Sequence, residues 1–351
     1  MMERPWFVLT RAELSQRPAS IRRLGLGIAA AMALLFIGLQ GWWVSTAAPG
    51  LAVGPRVVEI PPQIGLMAMA RRLDEARVIR SPVGFVLLAI TRGSARTLKA
   101  GEYEFPQGAS TFAVLTLLEG GRVLQHTVLL REGETLAELA RRLEAERLAS
   151  AQDVLRVAHD RVFLRTLDID AQSVEGYLFP DTYQFVKGMT SEEILARMAA
   201  RMRDLITPEL REKARARALS VHQLLTLASI IEKEAVERKE MPLISAVFWN
   251  RLKRDMPLQA DPTVQYALGK NGRALTREDL QVESAFNTYR RVGLPPGPIA
   301  NPGRAAIEAA ISPARVDYLY FVSVDDRRHY FSSSLADHNT AVARYRLAKT
   351  R

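Results

Sequence analysis

The chain has 351 residues, of which 48% are hydrophobic, so it can bury a large core, and its length indicates two or more domains. This composition excludes an intrinsically disordered polypeptide. The absence of cysteine excludes disulfides, thiolate nucleophiles and cysteine-ligated metals, while the net charge of +10 at pH 7 makes anionic partners candidates.

A long uncharged segment lies close to the N-terminus. Residues 24–44 contain no charged side chain, and a helix of this length extends about 31 Å, enough to cross the hydrocarbon core of a bilayer. Five arginines and two glutamates precede it. The positive-inside rule therefore predicts a cytoplasmic tail at residues 1–23, a transmembrane helix at 24–44 and the rest of the chain outside the membrane. A cleaved signal peptide is the alternative, although such segments have shorter apolar runs.

This topology changes the meaning of the positive charge. In a cytosolic protein the excess would indicate nucleic-acid binding, whereas outside the membrane the available partners are anionic lipid headgroups or cell-wall polymers. Charge kept for solubility is an equally good explanation. Because a nucleic-acid binder would need a cytoplasmic chain after residue 44, we predict no nucleic-acid partner.

A weak internal repeat follows a predicted linker at residues 45–58. LMAMARRLDEARVI at 66–79 aligns with LAELARRLEAERLA at 136–149, and both segments carry apolar residues at helical spacing. Each copy is predicted to be a short amphipathic helix. VLLREGET precedes the second copy as a strand and a turn, with Thr135 as the expected N-cap.

This strand, turn and helix resemble the LysM module, which binds chains containing N-acetylglucosamine, so residues 59–160 are interpreted as a LysM-like region. The alternative is a generic strand–helix pair that binds nothing. Two further segments have strand patterns: KAGEYEFPQGAS predicts a strand, a turn and another helix, and the alternating aromatic residues of EGYLFPDTYQF at 175–185 predict an extended, partly buried segment.

The stretch ASIIEKEA at 228–235 ends a predicted helix. Ser220 followed by Gln223 is a capping-box pattern, so the helix should begin at Val221 and run through VHQLLTLASIIEKEA. On a helical wheel its apolar residues form a buried side, with Glu232 and Glu234 on the two edges of that side, about 200° apart. Two carboxylates so placed cannot flank one scissile bond. Glu234 has the more apolar neighbours, which would raise its pKa and suit a general acid. A solvated, salt-bridged helix end is the alternative explanation of the same three residues.

Further motifs follow this helix in a fixed order. They are PLQADPTVQYALG at 257–269, SAFNTYRRVGLPPGPIANPG at 284–303, YLYFVSV at 318–324 and SLADHNTAV at 334–342. Together with EGYLFPDTYQF and the single N-terminal anchor, they closely resemble the endolytic murein transglycosylases of the MltG (YceG-like) family, over residues 55 to 347. The resemblance implies a catalytic domain at 161–351, preceded by the LysM-like region. It also implies that Glu234, the second glutamate of the EKE motif, is the catalytic residue.

The implied reaction cuts the β-1,4 bond between N-acetylmuramic acid and N-acetylglucosamine without water. One glutamate protonates the leaving oxygen and then, as a carboxylate, takes the proton of the C6 hydroxyl, so that a 1,6-anhydro ring closes. The oxocarbenium-like transition state needs electrostatic support from polar groups. The candidates for substrate binding are Glu232, Gln259, Asp261, Thr263, Asn287 and Tyr289. For the loop residues, turn and capping structure is the alternative role.

Other chemistries have little support in the sequence. The five histidines show no metal-ligand spacing, and nucleophile-elbow and phosphate-loop motifs are absent, so we expect no metal and no cofactor. RRHYF after VSVDD predicts the return strand of a hairpin, and His338 is expected to cap or stabilise a helix. A non-catalytic peptidoglycan-binding scaffold that recruits cell-wall synthases is the alternative to an enzyme.

The expected fold is α+β, with small strand–helix units before a mixed catalytic domain. The expected partners are peptidoglycan glycan strands, the membrane that holds the single-pass anchor, and peptidoglycan synthases. The expected location is the bacterial inner membrane, with the N-terminus cytoplasmic and the catalytic region in the periplasm or extracytoplasmic space.

Overall fold

The computed structural model describes residues 19–45, 54–270, 272–325 and 328–349. Residues 1–18 of the predicted tail and 46–53 of the predicted linker lie outside the described residues. The first helix, α1, covers Ala19–Ser45 and therefore includes the whole apolar segment 24–44. Within the described residues, no helix meets the length and hydropathy required of a membrane span. The transmembrane anchor stays a prediction.

The chain divides into two compact units, Met1–Leu124 and Gln125–Arg351. After α1, the first unit contains β1 (Arg56–Ile60), α2 (Leu66–Glu75), α3 (Pro82–Thr91), β2 (Gly101–Phe105) and α4 (Thr111–Gly120). β1 and β2 pair antiparallel, from Arg56 opposite Phe105 to Ile60 opposite Gly101. The predicted apolar face of α2 is buried, and it packs in a core with Tyr103 and Phe85.

The second unit begins with a similar order of elements, but with one more helix between its two strands. These are β3 (His126–Leu129), α5 (Leu136–Ala145), α6 (Ala151–Ala158), α7 (Arg161–Thr166) and β4 (Thr182–Phe185). β3 pairs antiparallel with β4, and Thr135 caps α5 in a full capping box with Glu138. Each copy of the repeat therefore belongs to a unit in which two antiparallel strands enclose helices, two helices in the β1–β2 unit and three in the β3–β4 unit. The boundary expected at residue 160 lies inside the second of them, because the strand that pairs with β3 comes only at Thr182.

Helices then make up the centre of the second unit. They are α8 (Ser191–Leu205), α9 (Pro208–Arg215), α10 (Val221–Glu234), α11 (Met241–Leu252), α12 (Asp261–Ala267) and α13 (Arg304–Ile311). The capping box of Ser220 and Gln223 starts α10 as predicted. This helix is buried on every side from Leu224 to Ile231, because it packs against α11, α12 and α13. It is a central helix and not the surface helix that an amphipathic pattern alone would suggest.

A hairpin and a last helix complete the second unit. β5 (Tyr320–Ser323) and β6 (His329–Ser332) pair antiparallel, as RRHYF predicted, and α14 (Leu335–Lys349) packs against both strands. The three two-stranded sheets and the many helices confirm the mixed α+β class. The catalytic helix candidate α10 thus ends near α12 and β5, and this meeting point forms the candidate site.

Candidate functional site

The last three residues of α10 point into different surroundings. Glu232 Oε2 accepts a hydrogen bond of 2.8 Å from the backbone N–H of Gly303. Lys233 Nζ donates at 3.2 Å to the carbonyl oxygen of Gly133, in the turn between β3 and α5. Glu234 instead lines a cavity with Asp261 and Arg251. The separation of the two glutamates that the helical wheel predicted is confirmed.

The cavity has a volume of about 380 Å³ and lies between the end of α10, the loop before α12 and the β5–β6 hairpin. Its polar wall contains three of the predicted substrate-binding residues. The residues that line it are Glu234, Arg251, Leu258, Gln259, Asp261, Tyr289, Phe321, Val322, Ser323, His329 and His338. A volume of about 380 Å³ has room for one sugar ring.

Glu234 has the electrostatics of an acid at neutral pH. Its pKa is raised to about 8, because burial of the carboxyl group and the negative charge of Asp261 raise it by more than the positive charge of Arg251 lowers it. The residue keeps part of its surface accessible. A carboxyl group that holds its proton at pH 7 and still faces a cavity can donate that proton to a bound oxygen atom.

Asp261 and Tyr289 form a pair beside Glu234. Asp261 Oδ1 accepts a hydrogen bond of 2.5 Å from the Tyr289 hydroxyl group. Burial and the bond to Asp261 raise the pKa of Tyr289, so the phenol remains a donor. Asp261 is exposed on the cavity side. It brings a second carboxylate to the site from α12, which is a separate element from the helix that carries Glu234.

Arg251 is a buried cation in the same wall. Its Nε donates at 2.7 Å to the carbonyl oxygen of Leu319, and its Nη1 donates at 2.7 Å to that of Leu258. Burial lowers its pKa, whereas the nearby Tyr320, Tyr289 and Glu234 raise it. The guanidinium group therefore joins α11 to the hairpin and to the loop before α12, and it places a positive charge near Glu234.

Gln259 reaches the cavity from a constrained backbone. Its φ of 50° lies in the left-handed region, which costs a residue with a Cβ atom about 1 kcal/mol. The backbone N–H of Gln259 donates at 3.1 Å to Thr288 O. Its side-chain Oε1 lies 3.4 Å from Nη1 of Arg251. The loop is thus held so that an exposed amide side chain faces the site.

Three predicted binding residues lie elsewhere. Thr263 is fully buried and donates to Ala260 O at 2.7 Å. Asn287 is also fully buried, and its amide group donates to two backbone carbonyl oxygens of the loop, on Leu280 and Val282. Their contacts hold the loops that carry Gln259, Asp261 and Tyr289. Neither side chain lines the cavity, nor does Glu232, so a direct contact of these three with substrate stays a prediction.

Arg251 and the histidines of the hairpin region were missed by the sequence reasoning. The hairpin was recognised, but not that His329 at the start of β6 lines the site. His338 was assigned to helix structure, whereas it lines the cavity from α14 and has a pKa lowered by burial and by Arg251. A signal for Arg251 existed: it is a charge on the buried side of the apolar helix MPLISAVFWNRL.

The turn that contacts Glu232 is joined to the β3–β4 unit through Asn301. Its Oδ1 accepts from the N–H groups of Gly176 and Leu178, at 3.0 and 3.2 Å, and its Nδ2 donates to Glu134 O at 3.0 Å. A Cβ atom on Gly176, which has φ +81°, would lie 2.3 Å from Cβ of Pro298. The EGYLFP and PIANPG motifs therefore touch each other behind the site, where only glycine fits.

The described residues form no metal-binding cluster. Among them, no group of three or more histidine or acidic side chains is arranged to hold a metal ion.

Comparison with known proteins places this geometry in a family. The model of the YceG-like family matches residues 58–344. The endolytic murein transglycosylase of Bacillus subtilis strain 168 is 34% identical over 303 residues, which cover 82% of this chain and 84% of that protein. The endolytic murein transglycosylase of Streptococcus pneumoniae serotype 2, strain D39, is 32% identical over 320 residues. That match covers 82% of this chain and 58% of the streptococcal protein.

A solved structure agrees with this relationship. The crystal structure of a YceG-like protein from Listeria monocytogenes superposes with a TM-score of 0.59 at 34% identity, and the match covers 82% of this chain and 98% of that one. The family model spans most of the sequence, and the Bacillus relative is 34% identical over 82% of this chain. The chain therefore belongs to the YceG-like family.

Proposed function

We propose that this chain is an endolytic lytic transglycosylase, a lyase that cleaves the β-1,4 bond between N-acetylmuramic acid and N-acetylglucosamine in nascent peptidoglycan strands. The observation that carries the proposal is Glu234, a carboxyl group with a pKa of about 8 that faces a cavity containing a second carboxylate. The names of the relatives, endolytic murein transglycosylases, support the same substrate class.

The first step is protonation of the leaving oxygen. Glu234 gives its proton to the bridging oxygen atom while the bond from that oxygen to C1 of N-acetylmuramic acid breaks. Positive charge then develops at C1 and the ring oxygen. The carboxylate of Asp261, fixed by Tyr289, stands in the same cavity and stabilises this charge.

The second step closes the anhydro ring. The C6 oxygen of the same sugar forms a bond to C1, and the C6 hydroxyl proton is finally received by the Glu234 carboxylate, which restores the acid. A single glutamate thus serves as acid and then as base. The 1,6-anhydro end is the product that distinguishes this reaction from hydrolysis, which would leave a reducing end.

Membrane attachment belongs to the same proposal. The uncharged segment 24–44 is long enough for a bilayer and is preceded by an excess of arginine. An anchor of this orientation would leave the catalytic unit in the periplasm or extracytoplasmic space of a bacterium, next to the strands made by peptidoglycan synthases. Reporter fusions at both ends of the chain test this topology, and a cytoplasmic C-terminus would contradict it.

The decisive experiment is a digest of purified, uncrosslinked peptidoglycan by the full-length chain in detergent, with Glu234→Gln in parallel. Mass spectrometry counts 1,6-anhydromuramyl ends and reducing ends. We expect anhydro ends from the wild type alone. Equal anhydro products from both proteins would assign the acid to another residue, and reducing ends would indicate hydrolysis. No product from either protein would favour a glycan-binding scaffold that recruits synthases.

A further inference from the structure

A second ionisable pair adjoins the cavity, which only its histidine lines, and the two steps above do not use it. His329 Nδ1 is 2.8 Å from Glu240 Oε2, and the other oxygen of Glu240 accepts at 3.1 Å from the backbone N–H of His329. Both side chains are buried, with 6% of His329 and 9% of Glu240 exposed. One carboxylate therefore fixes both the backbone and the ring of His329.

This contact sets the tautomer of His329. Because Nδ1 faces a carboxylate, it carries a proton and donates it, so the neutral ring has its lone pair on Nε2. Within the described part of the chain Nε2 has no hydrogen-bond partner, and His329 lines the same cavity as Glu234. The ring therefore offers the cavity an acceptor nitrogen whose orientation is held from behind.

The surroundings keep the ring in one place. The edge of Phe321 meets it at 5.4 Å between ring centroids, and the antiparallel pairing of His329 with Ser323 holds its backbone. Glu240 ends the short turn Arg238–Glu240, from which α11 continues. A structural ion pair explains Nδ1 and the backbone contact, but it does not require His329 to line a cavity that also contains an acid.

We propose that His329, held by Glu240, is the immediate acceptor of the proton of the attacking C6 hydroxyl and relays it to Glu234. This deepens the proposed function and rests on it. The dyad would also hold the C6 oxygen toward C1, and so favour ring closure over attack by water.

The proton balance of the step is complete. Glu234 donates its proton to the bridging oxygen, and the C1–O bond breaks. The C6 oxygen bonds to C1 while its proton passes to Nε2 of His329, and the imidazolium ion that results is stabilised by the Glu240 carboxylate. Transfer of one proton from His329 to the Glu234 carboxylate, directly or through water, returns both groups to their starting forms.

The test compares three variants of the full-length chain in the peptidoglycan digest. His329→Gln keeps an acceptor oxygen but takes no proton, and we expect the rate of anhydro-end formation to fall about 100-fold. Reducing ends should then rise as a share of the products, because water competes with a loosely held C6 hydroxyl. In Glu240→Gln the rate of anhydro-end formation should fall about tenfold, because the imidazole ring remains but its protonated form loses the carboxylate that stabilises it. The activity of His329→Ala should be partly restored by added imidazole.

Controls separate this role from hairpin stability. Tyr330 is the next residue of β6 and is 42% exposed, so Tyr330→Ala should keep the wild-type rate and product ratio. Circular dichroism and thermal unfolding of each variant report folding. Partial rescue of His329→Ala by imidazole is a result that an unfolded hairpin would not produce.

The relay is overturned if His329→Gln keeps the wild-type rate within about twofold, or if the histidine variants lose activity without imidazole rescue and with an unchanged product ratio. In either case the proposed function would still be supported if the wild type makes anhydro ends and Glu234→Gln does not. A wild-type protein that makes no anhydro ends would overturn both the proposed function and the relay.

Discussion

Glu232 and Glu234 are two residues apart at the end of the same helix, yet one is bound to a backbone N–H group and the other lines a cavity. Glu232 accepts a backbone hydrogen bond from Gly303, with Glu132 and Arg238 close enough to influence its charge. Glu234 faces a cavity that contains Asp261 and Arg251. Burial raises the pKa of both carboxyl groups, so a raised pKa alone does not separate an acid from a structural group.

The difference lies in what each side chain can reach. The Glu232 carboxylate is used by the turn Asn301–Gly303, and Arg238 pairs at 2.6 Å with the neighbouring Glu132. The Glu232 carboxylate therefore links the end of α10 to the start of α13. The Glu234 carboxyl group has polar neighbours around an open space and can meet a ligand. Removing the charge of each in turn is the most direct way to test this contrast.

The largest effect is expected from Glu234→Gln. The amide cannot donate the catalytic proton, so the rate of anhydro-end formation should fall at least about 1,000-fold, measured by mass spectrometry of digest time courses. The matched variant Glu232→Gln keeps an oxygen for Gly303 N–H and should stay within about threefold of the wild type. Equal losses in the two variants would erase the contrast between the glutamates.

The pH profile should show the state of Glu234. Because its pKa is about 8 and the protonated form is the acid, kcat/KM should be lost about tenfold per pH unit above pH 8. It should not fall between pH 5 and pH 7 through deprotonation of this group. Rates on soluble glycan chains from pH 5 to pH 9.5 measure this, and a basic limb near pH 5 would contradict the assignment.

Asp261→Asn should produce an intermediate effect with a defined direction. Loss of the negative charge removes one cause of the raised pKa of Glu234, so the basic limb of the pH profile should move to lower pH. The rate should also fall about tenfold, because the charge that stabilises the oxocarbenium-like state is gone. Tyr289→Phe is the control: it keeps the carboxylate and should move the limb less. If the basic limb of Asp261→Asn is unchanged, the charge of Asp261 does not contribute to the pKa of Glu234.

Much of the fold was predictable from local patterns. The repeat of helical spacing marked α2 and α5, and the capping residues Thr135 and Ser220 marked the starts of α5 and α10. These features depend on neighbours in sequence. The pairing of β3 with β4 could not be seen in this way, because three helices, α5 to α7, separate the strands and nothing local specifies the partner.

The site was predictable only in part, for the same reason. Glu234 was predicted from the helical wheel and the family motifs, and Gln259, Asp261 and Tyr289 were predicted from the family motifs, with turn structure as their alternative role. Thr263 and Asn287 lie in the same motifs but point into the loops themselves. Whether a polar residue supports a loop or faces a cavity depends on packing that sequence spacing does not report. His329 joins the site only because the β5–β6 hairpin folds over it.

The smallest effect on activity is expected from a change of Glu175. Burial raises its pKa to about 8, as for Glu234, yet its oxygens accept from Leu136 N at 3.0 and 3.1 Å and from Asn301 Nδ2 at 3.3 Å. It does not line the candidate cavity. Glu175→Gln should therefore keep the rate of anhydro-end formation within about threefold. A large loss of activity at unchanged stability would mean that Glu175 acts in the reaction.

The effect of Glu175→Gln should appear in stability instead. Between the ordinary glutamate pKa of 4.5 and the folded value of about 8, the folded state holds a proton that the unfolded state has lost. The free energy of unfolding of the wild type therefore falls as pH rises through this window, by at most about 1.4 kcal/mol per pH unit for this group. The neutral amide removes that contribution, so urea midpoints of the variant at pH 6, 7 and 8 should decline less steeply. Because Glu234→Gln should flatten the same slope while abolishing catalysis, the two variants together separate the cost of burying a carboxyl group from its use as an acid.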